Sequence, residues 1–136
     1  MSIEYPESYI NDILKEVTTI AVVGASSKKD RDSYKVMQSL IENGYKVFPI
    51  NPNESGSTIL DLECLPKLEA VKENIDMVDI FRAHEAVLGI TKDAINIGAK
   101  VLWMQEGIVH HEAANLAISA GLRVVMDRCP KKELAK

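Results

Sequence analysis

TIAVVGASSKKDRDSY, residues 19–34, runs a strand, a small-residue turn, a basic loop and a helix start together without a break. Ile20, Ala21, Val22 and Val23 form an apolar run with no polar alternation, the pattern of a central parallel strand covered on both faces. Gly24-Ala25-Ser26 lets the backbone turn tightly and is expected to leave room for a ligand to approach. Ser33 is the expected N-cap of the next helix, whose first free N–H groups would point back at the turn. A helix N-terminus carries partial positive charge and unpaired donors, so it suits a phosphate. Lys28, Lys29 and Arg31 add cationic side chains beside it. The stretch reads as a nucleotide-type anion site.

Downstream, Val36, Met37, Leu40 and Ile41 place an apolar stripe on a helix over about 33–43, with Gly44 as its stop. Lys46–Ile50, KVFPI, is the second strand, and Asn51-Pro52-Asn53 is a turn. A dinucleotide-binding domain usually presents an Asp or Glu at the end of this strand to a ribose hydroxyl, after a G-x-G-x-x-G first turn. Here Asn51 holds the strand end, Glu54 comes three places later, and Gly24 is followed by no second glycine before the helix. Both departures disfavour NAD.

The remaining chain keeps the alternation. Ile59-Leu60 is a short third strand, and a short connecting helix is expected around Pro66. Met77–Phe81 forms the next strand, followed by a helix over 85–97. Lys100–Met104 is a strand ending in Gln105-Glu106-Gly107, the helix of 112–120 follows, and Leu122–Met126 is the last strand before a charged tail. Ahead of it all, Tyr9, Ile10, Ile13, Leu14 and Val17 share one helical face. Such an order predicts an α/β protein: an open parallel sheet with helices on both faces, all strand C-termini on one edge, and a ligand outside that edge.

With 136 residues the chain suffices for one domain with a proper core. A net charge of −4 argues against general nucleic-acid affinity, though a local basic loop can still hold a phosphate. Cys64 and Cys129 lie far apart without metal-ligand spacing, so a reducing cytoplasm is expected. Residues 1–17 show no secretory signal, and no apolar run approaches the roughly 20 residues a membrane span needs.

Among polar groups at strand ends, Arg82 is placed either to grip a phosphate in bidentate fashion or to pair with Glu85 at a helix start. Gln105 can present an amide to a ligand, and Gly107 serves either that site or the turn alone. Adjacent His110 and His111 diverge and lack a metal-ligand spacing, so a solvated helix start is expected. Cys129 has no histidine near it in sequence to form a nucleophile–base pair. Asp76 and Asp79 are expected to cap or to pair with a lysine.

Together, VVGASSKKDRDSYKVMQSL, VFPINP, DMVDIFR, GAKVLWMQEGI and VVMDRCP resemble the stand-alone CoA-binding proteins of bacteria and archaea (the YccU-like group). Those are similar to the N-terminal CoA-binding domain of the succinyl-CoA synthetase α subunit. The resemblance implies a Rossmann-like, doubly wound fold of about five parallel strands in a single domain over 18–136, after an N-terminal helical extension of residues 1–17. It implies coenzyme A at Gly24, Ala25 and Ser26, with Arg31, Ser33 and Tyr34 following, then Asn51 and Pro52, then Phe81 and Arg82; the charge reading adds Lys28. The ligase subunits carry a proline-rich segment where this chain has Phe81-Arg82, and their phosphorylated histidine belongs to a domain outside the motifs matched here.

The function expected is therefore a non-enzymatic CoA or acyl-CoA binding module, whose 3′-phosphate would favour Lys28, Lys29 or Arg31 over a carboxylate. The alternatives are an NAD(P)-dependent oxidoreductase, for which no acid–base pair is visible, and a ligase-type subunit that needs a partner chain.

Overall fold

The computed structural model describes residues 3–136. Its elements are α1 (Glu7–Glu16), β1 (Thr19–Val23), α2 (Asp32–Glu42), β2 (Lys46–Ile50), β3 (Thr58–Ile59) and β4 (Leu62–Glu63). Then come β5 (Met77–Ile80), α3 (His84–Asn96), β6 (Val101–Met104), α4 (His111–Ser119), β7 (Arg123–Val125) and α5 (Pro130–Leu134). Single 3₁₀ turns lie at Pro52–Glu54 and Leu68–Ala70.

Five strands form one parallel sheet in the order β2-β1-β5-β6-β7. The three central strands are apolar apart from Thr19 and Asp79, because both of their faces are covered. Ile20, Val22, Val47, Met77, Val101 and Trp103 face one layer, which holds Ile10, Ile13 and Leu14 of α1 and Val36, Met37 and Leu40 of α2. Ala21, Val23, Val78, Ile80, Leu102 and Met104 face the other, with Val87 and Ala94 of α3 and Ala113, Ala114 and Ala117 of α4. The chain leaves β1 toward β2 on one side and resumes at β5 on the other. The strand order thus reverses between β1 and β5, and a crevice opens there at the C-terminal edge.

Three local expectations need correction. Ile59 does not belong to the main sheet: β3 and β4 form a small antiparallel hairpin whose loop residues Leu60 and Asp61 have φ of 51° and 65°. A two-residue hairpin loop requires such positive values, and this one meets them without the usual Asn or Gly. Second, Ser33 is not the N-cap. Extended Arg31 takes that position two residues earlier, no side chain caps it, and Ser33 is buried in the first turn. The burial of Val36, Met37 and Leu40 sets the helix register, and that register turns Ser33 inward. Third, the charged tail contains α5, which starts at Pro130 and packs Leu134 on the core.

Each edge of the sheet is finished differently. Beyond β2, Leu65 donates to the Pro49 carbonyl at 3.0 Å and its carbonyl accepts from the Asn51 N–H at 2.9 Å. Pro49 therefore turns its carbonyl outward, so its missing N–H falls on the same outer side and breaks no ladder bond. Beyond β7 there is no strand among the described residues. Tyr9 from α1 donates its hydroxyl to the Val124 carbonyl at 2.8 Å and accepts from the Val124 N–H at 3.1 Å, while Tyr5 accepts from the Met126 N–H at 2.8 Å. The two phenol rings stack at 5.6 Å. Replacing Tyr9 with Phe strands both Val124 backbone groups, and urea denaturation should show a loss of about 1–3 kcal/mol.

Candidate functional site

Gly24 ends β1 with φ +93°, and a Cβ there would lie 2.1 Å from the Phe81 carbonyl oxygen. The space expected for a ligand is therefore filled by the backbone that follows β5. Glycine is required because the two strand ends meet at this point, with the Phe81 N–H on the Val23 carbonyl at 2.8 Å. The Gly24 and Ala25 N–H groups both go to the Ile50 carbonyl, at 2.9 and 3.3 Å. Asn51 ties the same turn from the side, its amide donating to the Ala25 carbonyl at 2.8 Å. One compact knot joins the ends of β1, β2 and β5.

Above that knot lies an open cleft of about 560 Å³. Gly24, Ala25, Ser26, Lys28, Arg31, Ser33, Asn51 and Phe81 line it, and Asp32, Asn53 and Glu54 complete it. The first turn of α2 opens here with no side chain over it, so its leading N–H groups are available to an anion. Ser26 Oγ accepts from the Lys28 N–H at 3.1 Å and shapes the basic loop. The cleft thus combines backbone amides and two cations, which suit an anion, with the carboxylates of Asp32 and Glu54, which do not.

Other expected residues lie elsewhere. Tyr34 packs on the core. Pro52 and Arg82 line a separate cavity toward α3, although the Arg82 side chain also passes over Gly24. Arg82 makes no ion pair with Glu85 among the described residues. Gln105 lines a second cavity beside the cleft. The Gly107 N–H is taken by Asp127 Oδ1 at 2.8 Å, which makes that glycine part of a turn. His110 is the N-cap of α4, accepting from the Ala113 N–H at 3.1 Å, and its ring stacks on His84 at 4.3 Å.

Matching the chain against known families and structures gives a consistent result. Residues 18–135 match the CoA binding domain. The chain belongs to the CoA binding domain family. The protein YneT of Bacillus subtilis is 34% identical over 122 residues, spanning 90% of this chain and 89% of that one. A protein of Pyrococcus horikoshii superposes with a TM-score of 0.90 at 35% identity, covering 99% of this chain and 97% of that one. The ADP-forming acetate–CoA ligase II of Archaeoglobus fulgidus is 33% identical over 84 residues, which are 60% of this chain but 12% of the ligase. This CoA binding domain is thus related to one portion of a larger ligase.

Two carboxylates of this CoA binding domain stand where the sequence reading did not put them. Glu54, carried back by the 3₁₀ turn, accepts from the Ser27 N–H at 3.2 and 3.3 Å and lines the cleft. Its distance from the strand end had set it aside, and the i, i+3 reach of a Pro-initiated turn was the signal available. Asp79 is fully buried on β5 between Val22 and Trp103, and neither carboxyl oxygen has a hydrogen-bond partner. It neither caps nor pairs with lysine. Burial pushes its carboxyl well above the ordinary range. Asp76 is the aspartate that pairs with a lysine, Lys100 at 3.8 Å: burial alone would raise its carboxyl, but hydrogen bonds from Thr18 and Thr19 and the Lys100 charge outweigh that and lower it.

Because Asp79 is raised in the folded state, its stabilising effect is complete below the unfolded value of about 4 and is lost as pH rises through the folded one. Asp79→Asn should therefore be more stable than the parent at neutral pH, with the gap closing toward pH 4 in denaturant melts. Gly24→Ala must both hold a positive φ and displace the Phe81 backbone, and calorimetry should show a loss of at least about 3 kcal/mol.

Proposed function

We propose that this chain is a binding module for coenzyme A or an acyl-CoA, held at the C-terminal edge of the sheet. The observation that carries the reading is the uncapped N-terminus of α2, opening with Lys28 and Arg31 onto a cleft at the point where the strand order reverses. Family membership selects the ligand among nucleotide-like anions. The pyrophosphate is assigned to the start of α2, above the Gly24–Ser26 turn, and the 3′-phosphate to Lys28 and Arg31. The cations Lys28 and Arg31 and the amide donors hold an anion against the carboxylates Asp32 and Glu54 on the same cleft; on this reading the chain carries or senses its ligand without transforming it. Glu54 opposes the ligand by its charge and by occupying the Ser27 N–H.

A thermal-shift panel of CoA, dephospho-CoA, acetyl-CoA, NAD and NADP tests this. CoA at 100 times its dissociation constant should add about 2.7 kcal/mol, and dephospho-CoA at the same concentration should add less. Arg31→Ala should weaken CoA binding about tenfold, as loss of a charge-assisted contact does. Glu54→Gln should strengthen it several-fold. A shift with NAD or NADP alone, or a Glu54→Gln variant that binds more weakly, would mean that Glu54 serves a ribose hydroxyl and that the ligand is a dinucleotide.

A further inference from the structure

Away from the cleft, the outer edge of β2 carries an apolar groove of about 420 Å³. Pro49 explains why it exists. The segment that follows the hairpin runs parallel to β2 but bridges it only at Ile50 and Leu65. The next bond toward the start of β2 would need a Pro49 N–H, so the two segments part there. Val47 and Pro49 line the groove from β2, and Leu60, Leu62 and Leu65 line it from the hairpin side. Ile41, at 37% exposure one of the few large apolar side chains in contact with solvent, also lines it. Leu60 is strained: it and Asp61 hold positive φ in a loop that asparagine or glycine would fit without cost. Strain of this kind concentrates at ligand clamps.

The polar groups on the lining are committed, with one exception. The Tyr45 hydroxyl donates to the Leu14 carbonyl, and Lys46 pairs with Glu73 at 2.6 Å. Glu63 makes no ion pair among the described residues. An apolar slot with one uncompensated carboxylate is complementary to an apolar body that carries one positive charge.

The same hairpin also reaches the cleft. Its stem is closed by the Cys64 N–H on the Ser57 carbonyl at 2.8 Å and the Gly56 N–H on the Cys64 carbonyl at 3.0 Å. Ser57 holds the Glu54 carbonyl twice, through its N–H at 3.2 Å and its hydroxyl at 2.6 Å. Glu54 in turn occupies the Ser27 N–H. Leu60 and Leu62 in the groove and Glu54 in the cleft thus belong to one hydrogen-bonded unit.

We propose that the groove is an effector site for a small apolar amine, whose binding keeps Glu54 on the Ser27 N–H and so weakens phosphate binding in the cleft. The proposal rests on the CoA reading above and adds regulation to it. Groove and docked Glu54 occur in one conformation, so a ligand that fits the groove selects that state. A phosphate that takes the Ser27 N–H displaces Glu54, and the hairpin that carries the groove wall moves with it. The two ligands therefore antagonise each other, by the same factor in either order.

The test uses n-octylamine as the probe and octanoate as the anion of matching size, both on the full chain. Amide NMR spectra locate binding, and calorimetry measures CoA affinity with and without saturating octylamine. Octylamine should give saturable shifts at residues 46–49 and 60–65, and octanoate should bind several-fold more weakly. Leu60→Gly should lose octylamine by about tenfold or more. Glycine suits a φ of 51°, so that variant keeps its melting temperature and the loss reads the groove wall alone. Ile41→Ser, at an exposed position, should act in the same direction. CoA affinity should fall about five- to tenfold under saturating octylamine. Glu54→Ala should remove that fall while octylamine still binds. The effector site is overturned, and the CoA reading left standing, by shifts confined to the cleft, by equal binding of octanoate, or by a CoA affinity that octylamine leaves unchanged. A fall of the same size in Leu60→Gly overturns it too, since the amine is then pairing with CoA itself. If CoA alone does not bind, the CoA reading fails and the regulatory claim falls with it.

Discussion

The contact between Gly24 and the Phe81 carbonyl is the constraint on which the rest of the edge depends. A Cβ at position 24 would stand 2.1 Å from that oxygen, so the ends of β1 and β5 can close together only if one of them carries glycine. This closure occurs where the strand order reverses, and it forms the floor of the cleft. Asn51 and the Ile50 carbonyl then lock β2 to the same turn. The floor is backbone tied to backbone, so ligand contacts above it are made by groups whose positions are already set. Preorganisation of this kind reduces the ordering cost that binding would otherwise carry.

Charge at the edge is mixed. Lys28 and Arg31 face the cleft together with Asp32 and Glu54, and the chain as a whole is acidic. Attraction of a polyanionic ligand is therefore local, and long-range steering toward the molecule is weak. Below the cleft, Asp79 faces the same layer as α2 without a partner. A carboxylic acid kept neutral there by burial adds no negative charge to this layer.

Much of this architecture was legible in the residues. The central strands read correctly because burial on both faces leaves a nearly unbroken apolar run, and the helices because their stripes have one period. What failed did so for physical reasons. Leu60-Asp61 adopts a turn that its residue types do not advertise. Ser33 looked like a cap, but buried neighbours three to seven places on fixed the helix register instead. Gly24 was read rightly as part of a tight turn and wrongly as room for a ligand, since the group filling that room comes from residue 81, far along the chain. Asp79 was hidden because its alternation within a strand gives no sign of which layer lies above it. Gln105 and Cys129 were each visible, but only the return of the chain after β7 brings them into one cavity.

The phenol clasp on β7 meets a hazard common to open sheets. Bare N–H and C=O groups along an outer strand recruit other chains. Here Tyr5 and Tyr9 cover them with two hydroxyls, at the level of Val124 and Met126. The strand nearest the end of the sequence is thus closed by residues near its beginning, so finishing this edge fastens the two extremes of the described chain to each other.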